Sequence, residues 1–223
     1  MSELVDTWSN RAAVEDSMTD GHAWIWREMI RTAVPGQLTG SRVLDLGCNQ
    51  GGFLRLLYDT RPFAEGVGVD LAKDRVTMAE SAKGDRPLRY LATNQLGELG
   101  ERFDVIFSHE VIYLIEDLAD HATQIAAALK PGATYHAVTC CHANNPLWPE
   151  WRAKVQEFSN IPVPNHSVAD IVCAFQVAGF DTRVSRFLAA AQIPMEGDSD
   201  YFPSTVDRLE VFTRWKLMFH FTL

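Results

Sequence analysis

Short apolar runs alternate with helix-like segments along most of this chain, and no other feature of the sequence restricts its fold as strongly. The runs are almost continuously apolar, as is typical of strands that are buried on both faces. They are RVLDL (42–46), EGVGVD (65–70), PLRYL (87–91), FDVIFS (103–108) and TYHAVTCC (134–141). Strands that alternate with helices predict an α/β fold, a doubly wound, mostly parallel sheet with helices on both faces.

Two helices of this alternation have readable ends. The first is predicted to begin after Asp117, a residue type that caps helix N-termini, and to stop at the Pro-Gly pair 131–132. The second is predicted to begin at Ser167, which forms a capping-box pattern with Asp170, and to end at Gly179. Both helices fit between the predicted strands, as a doubly wound sheet requires.

The tail continues the alternation, and two other segments depart from it. Residues 181–190 and 216–223 are predicted to be strands, and 204–215 a short helix. The departures are residues 1–36 and 142–166, which are rich in aromatic residues, and the second has too many prolines for one long helix. We predict that the first forms an N-terminal helical lid and that the second covers the substrate.

Length and charge are those of an ordinary globular protein. At 223 residues and 25.0 kDa the chain suits one domain with a full core, and no repeat or linker divides residues 1–223. A net charge of -9 argues against a nucleic-acid partner, which usually demands a basic face. No apolar run approaches the ~18 residues of a membrane span, and the N-terminus lacks a signal-peptide pattern. We therefore expect a cytoplasmic protein without a membrane partner.

The four cysteines give no indication of a metal site. Cys48, Cys140, Cys141 and Cys173 lack the paired short spacing that structural zinc sites use, and the adjacent pair falls in a predicted buried strand. Small hydrophobic side chains in a reducing compartment are the simpler interpretation, so we assign no metal.

The stretch RVLDLGCNQGGF, residues 42–53, is a strand that enters a glycine turn and then a helix, an arrangement that presents backbone N–H groups to a ligand. Dinucleotide sites need a middle glycine so that pyrophosphate can approach the backbone, but Asn49 takes that place between Gly47 and Gly51. Asparagine tolerates left-handed backbone angles, so the turn is preserved while its side chain fills the space of a phosphate. Asp45, in the strand, would repel phosphate and attract a cation. The turn therefore favours a ligand with a positive group and no phosphate, which counts against an NAD-dependent oxidoreductase.

Several segments, in the right order, resemble the motifs of class I S-adenosylmethionine (SAM)-dependent methyltransferases. VLDLGCNQGG (43–52) is similar to motif I, in the variant with Asn where many members have Gly, and GVGVD (66–70) is similar to the acidic second motif. FDVIFSHEVIYLIED (103–117) resembles the fourth strand and its turn, LKPGATYHAV (129–138) the entry to the fifth, and AGF (178–180) the lead into the sixth. The resemblance implies a Rossmann-like seven-stranded sheet with an antiparallel last strand. It also implies SAM as the cofactor and S-adenosylhomocysteine (SAH) as its product.

The resemblance further implies which residues hold the cofactor. The carboxylate of Asp70 would accept hydrogen bonds from the ribose hydroxyls, and its alternative is a strand-end or helix-capping aspartate. Many relatives contact adenine with an acidic residue after the third strand, where this chain has LATNQL, so Thr93 or Asn94 would serve unless they cap the next short helix. The predicted cofactor-binding residues are Asp45, Gly47, Cys48, Asn49, Gly51, Asp70, Leu71, Thr93, Asn94, Ser108 and His109.

Catalytic and substrate-binding residues are expected at the carboxyl edge of the sheet, where doubly wound folds bind their ligands. His109, His142 and Tyr113 are the catalytic candidates, and His109 is the first choice for a base or for the wall of the SAM site. An idle His109 side chain is an equal alternative, and tryptophans here are more often hydrophobic anchors than substrate platforms. Trp8 and Trp24 lie in residues 1–36, the same N-terminal segment as His22 and Trp26, which are two of the substrate-binding candidates. The predicted substrate-binding residues are His22, Trp26, Tyr113, Asn145, Trp148 and Trp151.

These features together predict a SAM-dependent methyltransferase that acts on an oxygen or nitrogen of a small molecule, in a setting such as secondary-metabolite biosynthesis. The small acceptor follows from the acidic charge, the lack of a recognition domain and the modest lid. Two alternatives stay open. One is a protein that binds SAM without catalysis, since SAM binding alone explains motif I, and the other, less favoured, is an NAD-dependent oxidoreductase.

Overall fold

The computed structural model describes residues 12–195 and 201–223, which form a sheet with helices on both faces. Trp8 therefore lies outside the described residues. Within these residues the strands are β1 (Leu38–Leu46), β2 (Phe63–Asp70), β3 (Leu88–Ala92), β4 (Phe103–His109), β5 (Leu129–Thr139), β6 (Asp181–Arg186) and β7 (Leu217–Thr222). The helices are α1 (Ala12–Ala33), α2 (Gly52–Thr60), α3 (Lys73–Ala82), α4 (Leu118–Ala128), α5 (Trp148–Phe158), α6 (Val168–Val177) and α7 (Thr205–Glu210).

The strands of the sheet lie in the order β3-β2-β1-β4-β5-β7-β6. Strands β1 to β5 pair in parallel, and β7 is antiparallel to both of its neighbours, β5 and β6. The predicted seven-stranded, mostly parallel sheet with an antiparallel last strand is thus confirmed. The strand order reverses between β1 and β4, and open sheets of this kind bind ligands at such a reversal, beyond the carboxyl ends of the strands.

All the predicted strands are present, but β1 and β5 begin four and five residues earlier than predicted, and β5 and β6 end earlier. β5 ends at Thr139, so the adjacent cysteines 140–141 lie just beyond the strand in which the sequence placed them. β6 ends at Arg186 instead of continuing through FLAA, because the chain turns there and buries the apolar side chain of Phe187. The predicted helix between these last two strands is present as α7 followed by a π-helical turn, Val211–Trp215.

The helix ends follow their local signals. Asp117 accepts hydrogen bonds from the backbone N–H groups of the first turn of α4, and Ser167 forms the predicted capping box with Asp170 at α6. α4 ends at Ala128, before the Pro-Gly signal, because Leu129 already begins β5 with its side chain fully buried. Capping thus fixes where these helices begin, and the sheet determines where α4 ends.

Each face of the sheet has its own hydrophobic core. On one face α1, α2 and α3 pack around fully buried side chains such as Met29, Leu54 and Leu57. On the other face α4 and α6 pack around Ile125 and Phe175. This packing holds the carboxyl ends of β1, β2, β4 and β5 together at one edge. No helix in the described part of the chain is long and apolar enough to cross a bilayer.

Candidate active site

The glycine turn between β1 and α2 follows a left-handed path. The φ angle is 75° at Gly47, 45° at Asn49 and 73° at Gly51. Asn49 therefore adopts the conformation predicted for it, one that few residues other than glycine adopt. Neighbouring side chains leave no room for a Cβ at two of these glycines. A Cβ on Gly47 would collide with Val111, and one on Gly51 would lie 2.5 Å from the hydroxyl of Tyr90. The turn is thus packed between the end of β3 and the segment that follows β4.

Asp70, at the end of β2, ties the glycine turn to its neighbouring strand. One of its carboxylate oxygens accepts the N–H of Asn49 at 2.8 Å, and the other accepts the N–H of Ala72 at 2.9 Å. Leu71 lies half-buried between these contacts. This is the strand-end role that the sequence left open for Asp70. A carboxylate oxygen can accept two hydrogen bonds, so this role is compatible with the predicted binding of ribose hydroxyls.

Asp45 is buried beneath the turn, with 4% of its surface exposed. It lies inside the sheet, in register with Gly68 of β2 and Phe107 of β4. Its Oδ2 atom has no hydrogen-bond partner among the described residues. Burial, together with the negative charge of Asp70, raises the pKa of the Asp45 carboxyl to about 8. Because a buried carboxylate without a partner is unfavourable, this position fits a ligand that brings a positive group.

Cys48 and Asn49 line the same turn. The Cys48 thiol is buried, and burial with the nearby charges of Asp70 and Asp45 raises its pKa well above the usual range. It is therefore a neutral thiol and a poor nucleophile. The side-chain oxygen of Asn49 is also buried without a partner in the described chain. The turn thus holds two acceptor oxygens, of Asp45 and Asn49, that lack a donor within the described residues, whereas a phosphate would need donors.

Thr93 and Asn94 follow β3, where the resemblance implies a contact with adenine. The N–H of Thr93 donates to the carbonyl of Asp70, and its hydroxyl oxygen accepts the N–H of Gln95, both at 3.0 Å. The same hydroxyl lies 3.3 Å from a carboxylate oxygen of Glu98, an acidic group that LATNQL itself lacks. Thr93 therefore holds the turn that leads into the 3-10 helix at 96–99, whose N-cap residue is Gln95, and its contact with adenine stays a prediction.

His109, at the end of β4, lies under α1 as part of an aromatic group. Its Nδ1 atom accepts the indole N–H of Trp26 at 3.4 Å, and its ring lies 5.0 Å from His22, edge to face. Its Nε2 atom is buried and has no partner within the described residues. Burial and the positive charge of Lys216 lower the pKa of His109 well below its usual range and that of His22 to about 4. Both imidazoles are therefore neutral at neutral pH.

A buried ion pair of Glu110 and Lys216 lies beside these histidines, and the sequence did not reveal it. The Lys216 Nζ atom lies 2.5 Å from Glu110 Oε1, and Lys216 is 2% exposed. Glu110 also accepts the Thr139 hydroxyl at 2.6 Å and the N–H of Cys140 at 3.2 Å, so it joins the ends of β4, β5 and β7. Its φ of 54° is left-handed, as is typical of a functional position held by its surroundings. The one signal in the sequence is a lysine at the start of the mostly apolar KLMFHFTL.

The pair stays charged in the interior. Burial alone would neutralise both groups, but each charge stabilises the other, so the pKa of Glu110 lies below its usual range and that of Lys216 above it. The sulfurs of Cys140 and Cys141 and an oxygen of Glu110 lie within 4.8 Å of one another, a grouping that could hold a metal ion. The Lys216 ammonium already neutralises this carboxylate and lies 4.0 Å from the Cys140 sulfur, so we assign no metal here.

The aromatic residues predicted to bind substrate after β5 form a packed cluster. Trp148 is fully buried, with its ring 5.4 Å from Tyr113, edge to face. The indole N–H of Trp151 donates to the carbonyl of Tyr201 at 2.7 Å. This is the anchoring role that the sequence offered as the alternative for both tryptophans. Contact of these residues with a substrate stays a prediction.

Three more candidates hydrogen-bond within the protein. The hydroxyl of Ser108 lies 2.7 Å from that of Tyr135 in the core. The amide of Asn145 bridges backbone groups of its own loop, donating at 2.8 Å and accepting at 3.1 Å. The Nε2 atom of His142 lies 2.9 Å from the carbonyl of Trp215, while its Nδ1 atom is buried without a partner in the described chain. The structure thus brings His22, Trp26 and His109 into one group and leaves these three outside it.

A cleft of about 250 Å³ lies at the opposite edge of the sheet, between the end of α1 and the starts of β4 and β5. Pro35, Leu38 and Asp104 are among the residues that line it, and none of the predicted site residues does. Asp104 also pairs there with Lys130 at 2.8 Å. The cleft is therefore separate from the candidate site.

Comparisons with known proteins point to a methyltransferase domain. A family model described as a methyltransferase domain matches residues 23–183. The ubiquinone biosynthesis O-methyltransferase of Rhizobium rhizogenes is 32% identical over 106 residues, 46% of this chain and 42% of the relative. The malonyl-[acyl-carrier protein] O-methyltransferase of Anoxybacillus flavithermus is 33% identical over 109 residues, 48% of this chain and 38% of the relative. The matched part is less than half of the length of these curated relatives.

Solved structures share the fold at lower identity. The complex between the Haloferax volcanii Trm112 methyltransferase activator and a methyltransferase contains a chain with a TM-score of 0.78 at 23% identity, over 98% of this chain and 99% of that one. A geranyl diphosphate methyltransferase in complex with SAM has a TM-score of 0.66 at 14% identity, over 90% of this chain and 84% of that one. At these identities the likeness establishes the fold.

Proposed function

This chain belongs to the methyltransferase-domain family, and from that premise we propose that it transfers a methyl group from SAM to an oxygen or nitrogen atom of a small molecule. One observation carries the proposal: Asp45 is a buried carboxylate with an unpartnered oxygen, within the described residues, beneath a left-handed glycine turn. SAM brings an ammonium, a sulfonium and a ribose, and no phosphate. The relative named for ubiquinone biosynthesis supports a small-molecule acceptor, and we extend the proposal to secondary-metabolite biosynthesis.

Two carboxylates divide the recognition of the cofactor in this proposal. Asp45 would take the amino-acid ammonium, and Asp70 the ribose hydroxyls. Asp45 lies one residue before the end of β1 and Asp70 ends the neighbouring β2, and the hydrogen bond from Asn49 to Asp70 ties the two strand ends together. When bound, SAM supplies a methyl group on a positively charged sulfur, an electrophile that needs no further activation by the protein.

The same turn is unsuited to a dinucleotide. The Asn49 side chain fills the place where the middle glycine would admit pyrophosphate, and Asp45 offers a carboxyl that ionises beside a cation and gains nothing from a phosphate. An NAD-dependent oxidoreductase is therefore the weaker alternative. A protein that binds SAM without catalysis is the second candidate. The Nε2 of His109 is buried and has no partner within the described residues, so it is available to a ligand beside the turn. We take that ligand to be the methyl acceptor, which favours catalysis.

The protein's own part in the reaction is to position the acceptor and to exclude water. α1 lays Trp26 and His22 against His109, and the close approach of Gly47 to Val111 sets the segment after β4 against the cofactor turn. Holding an acceptor near attack distance can supply much of the acceleration of an in-line displacement. We propose that His22, Trp26 and His109, together with the neighbouring Glu110–Lys216 pair, form the acceptor side of the site.

The lid belongs to the same proposal. We propose that residues 1–36 and 142–166 close over the acceptor and keep water from the reacting atoms. The packing of Trp148 against Tyr113 supports the second segment as a fixed wall. The contact of Trp26 with His109 supports the first as the cover.

Binding and turnover together test the proposed function. Calorimetric titration should show that SAM and SAH bind and that NAD binds more weakly than either, and Asp45→Ala should weaken both sulfur ligands. Turnover is then measured as SAH formation with a panel of small acids, alcohols, phenols and amines. NAD binding tighter than SAM and SAH would overturn the proposal. Cofactor binding without SAH formation from any compound would instead favour the non-catalytic alternative.

A further inference from the structure

The contact between Trp26 and His109 determines which nitrogen of the imidazole carries the proton. An indole N–H can only donate, so Nδ1 of His109, which it approaches at 3.4 Å, must accept. A neutral imidazole that accepts at Nδ1 carries its hydrogen on Nε2. That Nε2–H is buried and has no acceptor within residues 12–195 and 201–223. A buried donor without an acceptor is unfavourable, so this group is suited to an acceptor atom that a ligand brings.

Among the described residues, the groups around His109 offer no proton acceptor of ordinary basicity, and burial also lowers the pKa of His142, the other candidate base. Lys216 is cationic, and Glu110 is occupied by the lysine and by the ends of β5. Burial and the Lys216 charge leave the His22 imidazole with a pKa of about 4, and the pKa of His109 also lies well below its usual range. General-base catalysis works best with a pKa near the operating pH. This group is therefore poorly suited to removing a proton from an alcohol or a phenol.

The number of lone pairs then separates the remaining acceptors. An amine has one lone pair, and a hydrogen bond from His109 to that pair would block the electrons that must attack. A carboxylate has two oxygens and about four lone-pair sites, so one pair can accept the hydrogen bond while another attacks. It also needs no base. The Lys216 ammonium and the Glu110 carboxylate cancel and both imidazoles are neutral, so the positive sulfonium of the bound cofactor would balance the charge of the carboxylate.

Building on the proposed methyl transfer, we propose that the acceptor is a carboxylate, held by the Nε2–H of His109, whose tautomer is fixed by Trp26. An oxygen lone pair of the carboxylate forms the new bond to the methyl carbon, and the pair of the breaking carbon–sulfur bond stays on sulfur. The products are a methyl ester and SAH. The negative charge of the carboxylate and the positive charge of the sulfonium are both lost, and no proton is transferred. In this account His109 contacts the substrate, and Trp26 is a positioning residue that acts through it.

Nitrogen-15 NMR of the histidine rings tests the proposal without turnover. The whole chain, saturated with SAH, should show the Nε2–H tautomer at His109. Formate, the smallest carboxylate, should shift the His109 Nε2–H resonance and bind about tenfold or more tightly than formamide, its neutral counterpart, as a charge-assisted hydrogen bond predicts. Trp26→Phe should allow the Nδ1–H tautomer and reduce this preference. Trp24→Phe is the matched control, because Trp24 lies on the same helix and packs on Phe212 instead, and it should change neither result.

The outcomes separate this inference from the proposed function. Absence of SAH binding would refute the proposed function itself. If SAH binds, an Nδ1–H tautomer at His109 in the wild-type protein, or a resonance that formate leaves unmoved, would refute the carboxylate acceptor alone. The same holds if SAH forms from amines or alcohols and not from the matched acids in the turnover panel.

Discussion

The glycine turn and the acceptor side meet at one edge of the sheet but are assembled in different ways. Asp70 holds the turn from 21 residues away, and the Tyr90 hydroxyl reaches the Gly51 carbonyl across 39. On the acceptor side, Trp26 reaches His109 across 83 residues, and Glu110 meets Lys216 across 106. The turn depends on backbone conformations that local sequence imposes. The acceptor side depends on buried polar groups whose partners come from distant elements, so substitutions should damage the two regions through different physical effects.

The largest effect is expected on the acceptor side, from Lys216→Met. This change leaves the Glu110 carboxylate largely buried without its partner, which should lower the free energy of unfolding by about 3–5 kcal/mol. Chemical denaturation measures the loss. Lys154→Met is the matched control, because its pair with Glu150 is exposed and should contribute no more than about 0.5 kcal/mol. Equal losses in the two variants would mean that a buried ion pair does not organise the acceptor side.

The glycine turn should be most sensitive at Gly47. Gly47→Ala combines a left-handed residue, about 1–2 kcal/mol, with overlap against Val111, about 1–3 kcal/mol more. Gly132→Ala is the control, since its φ of 79° is similar and no atom lies near its added Cβ. Thermal or denaturant unfolding should therefore show the larger loss for Gly47. A loss no larger than that of Gly132 would contradict the close packing of the turn.

Asp70→Ala tests the cofactor contact and the strand-end contact of one residue. Loss of hydrogen bonds to a charged acceptor should cost about 1.5–3 kcal/mol of SAH binding, or roughly ten- to a hundredfold in affinity. Because Asp70 also accepts two backbone N–H groups, some stability should be lost as well. Asp59→Ala, which breaks an exposed pair with Arg86, should leave affinity unchanged. Unchanged SAH affinity in the folded Asp70 variant would leave this residue with the strand-end role alone.

The smallest effect is a pH slope from Asp45. Its pKa of about 8 lies above the usual 3.8, so the folded protein without cofactor binds more protons than the unfolded chain between these values. Stability is therefore lost as the pH rises through this window, by up to about 1.4 kcal/mol per pH unit. Asp45→Asn should remove this contribution. Buried histidines such as His121 still titrate near pH 6.5 in the unfolded chain, but they do so equally in both proteins, so the difference between the two stability curves from pH 6.5 to 8 reports Asp45. Parallel curves for wild type and variant would contradict the raised pKa.

The sequence predicted the parts of this molecule that local chemistry determines. Asn49 adopts its left-handed angle, and Ser167 caps its helix as predicted, because each depends on residues a few positions away. The alternation of apolar runs was enough for the sheet, since strands buried on both faces have few other solutions. The buried place of Asp45 also followed from the apolar residues around it.

The acceptor side was less predictable because its contacts are not local. Lys216 looks like the polar start of a strand, and nothing in its neighbourhood indicates that Glu110 will receive its charge. His109 was a candidate base, but the Trp26 contact that fixes its tautomer comes from α1, 83 residues earlier in the chain. The end of β6 was misplaced for a related reason, since Phe187 leaves the strand to join the core.

Calorimetry of SAH binding at pH 7, in buffers of different ionisation enthalpy, tests most directly that Asp45 receives the ammonium of the cofactor. With a pKa of about 8, Asp45 is mostly protonated before binding, and an ammonium beside it would leave it ionised. Binding to the wild type should therefore release about 0.9 of a proton more than binding to Asp45→Asn, a difference in which the titration of the ligand itself cancels. Equal proton release by the two proteins, with equal SAH affinity, would contradict the assignment of this turn to SAM.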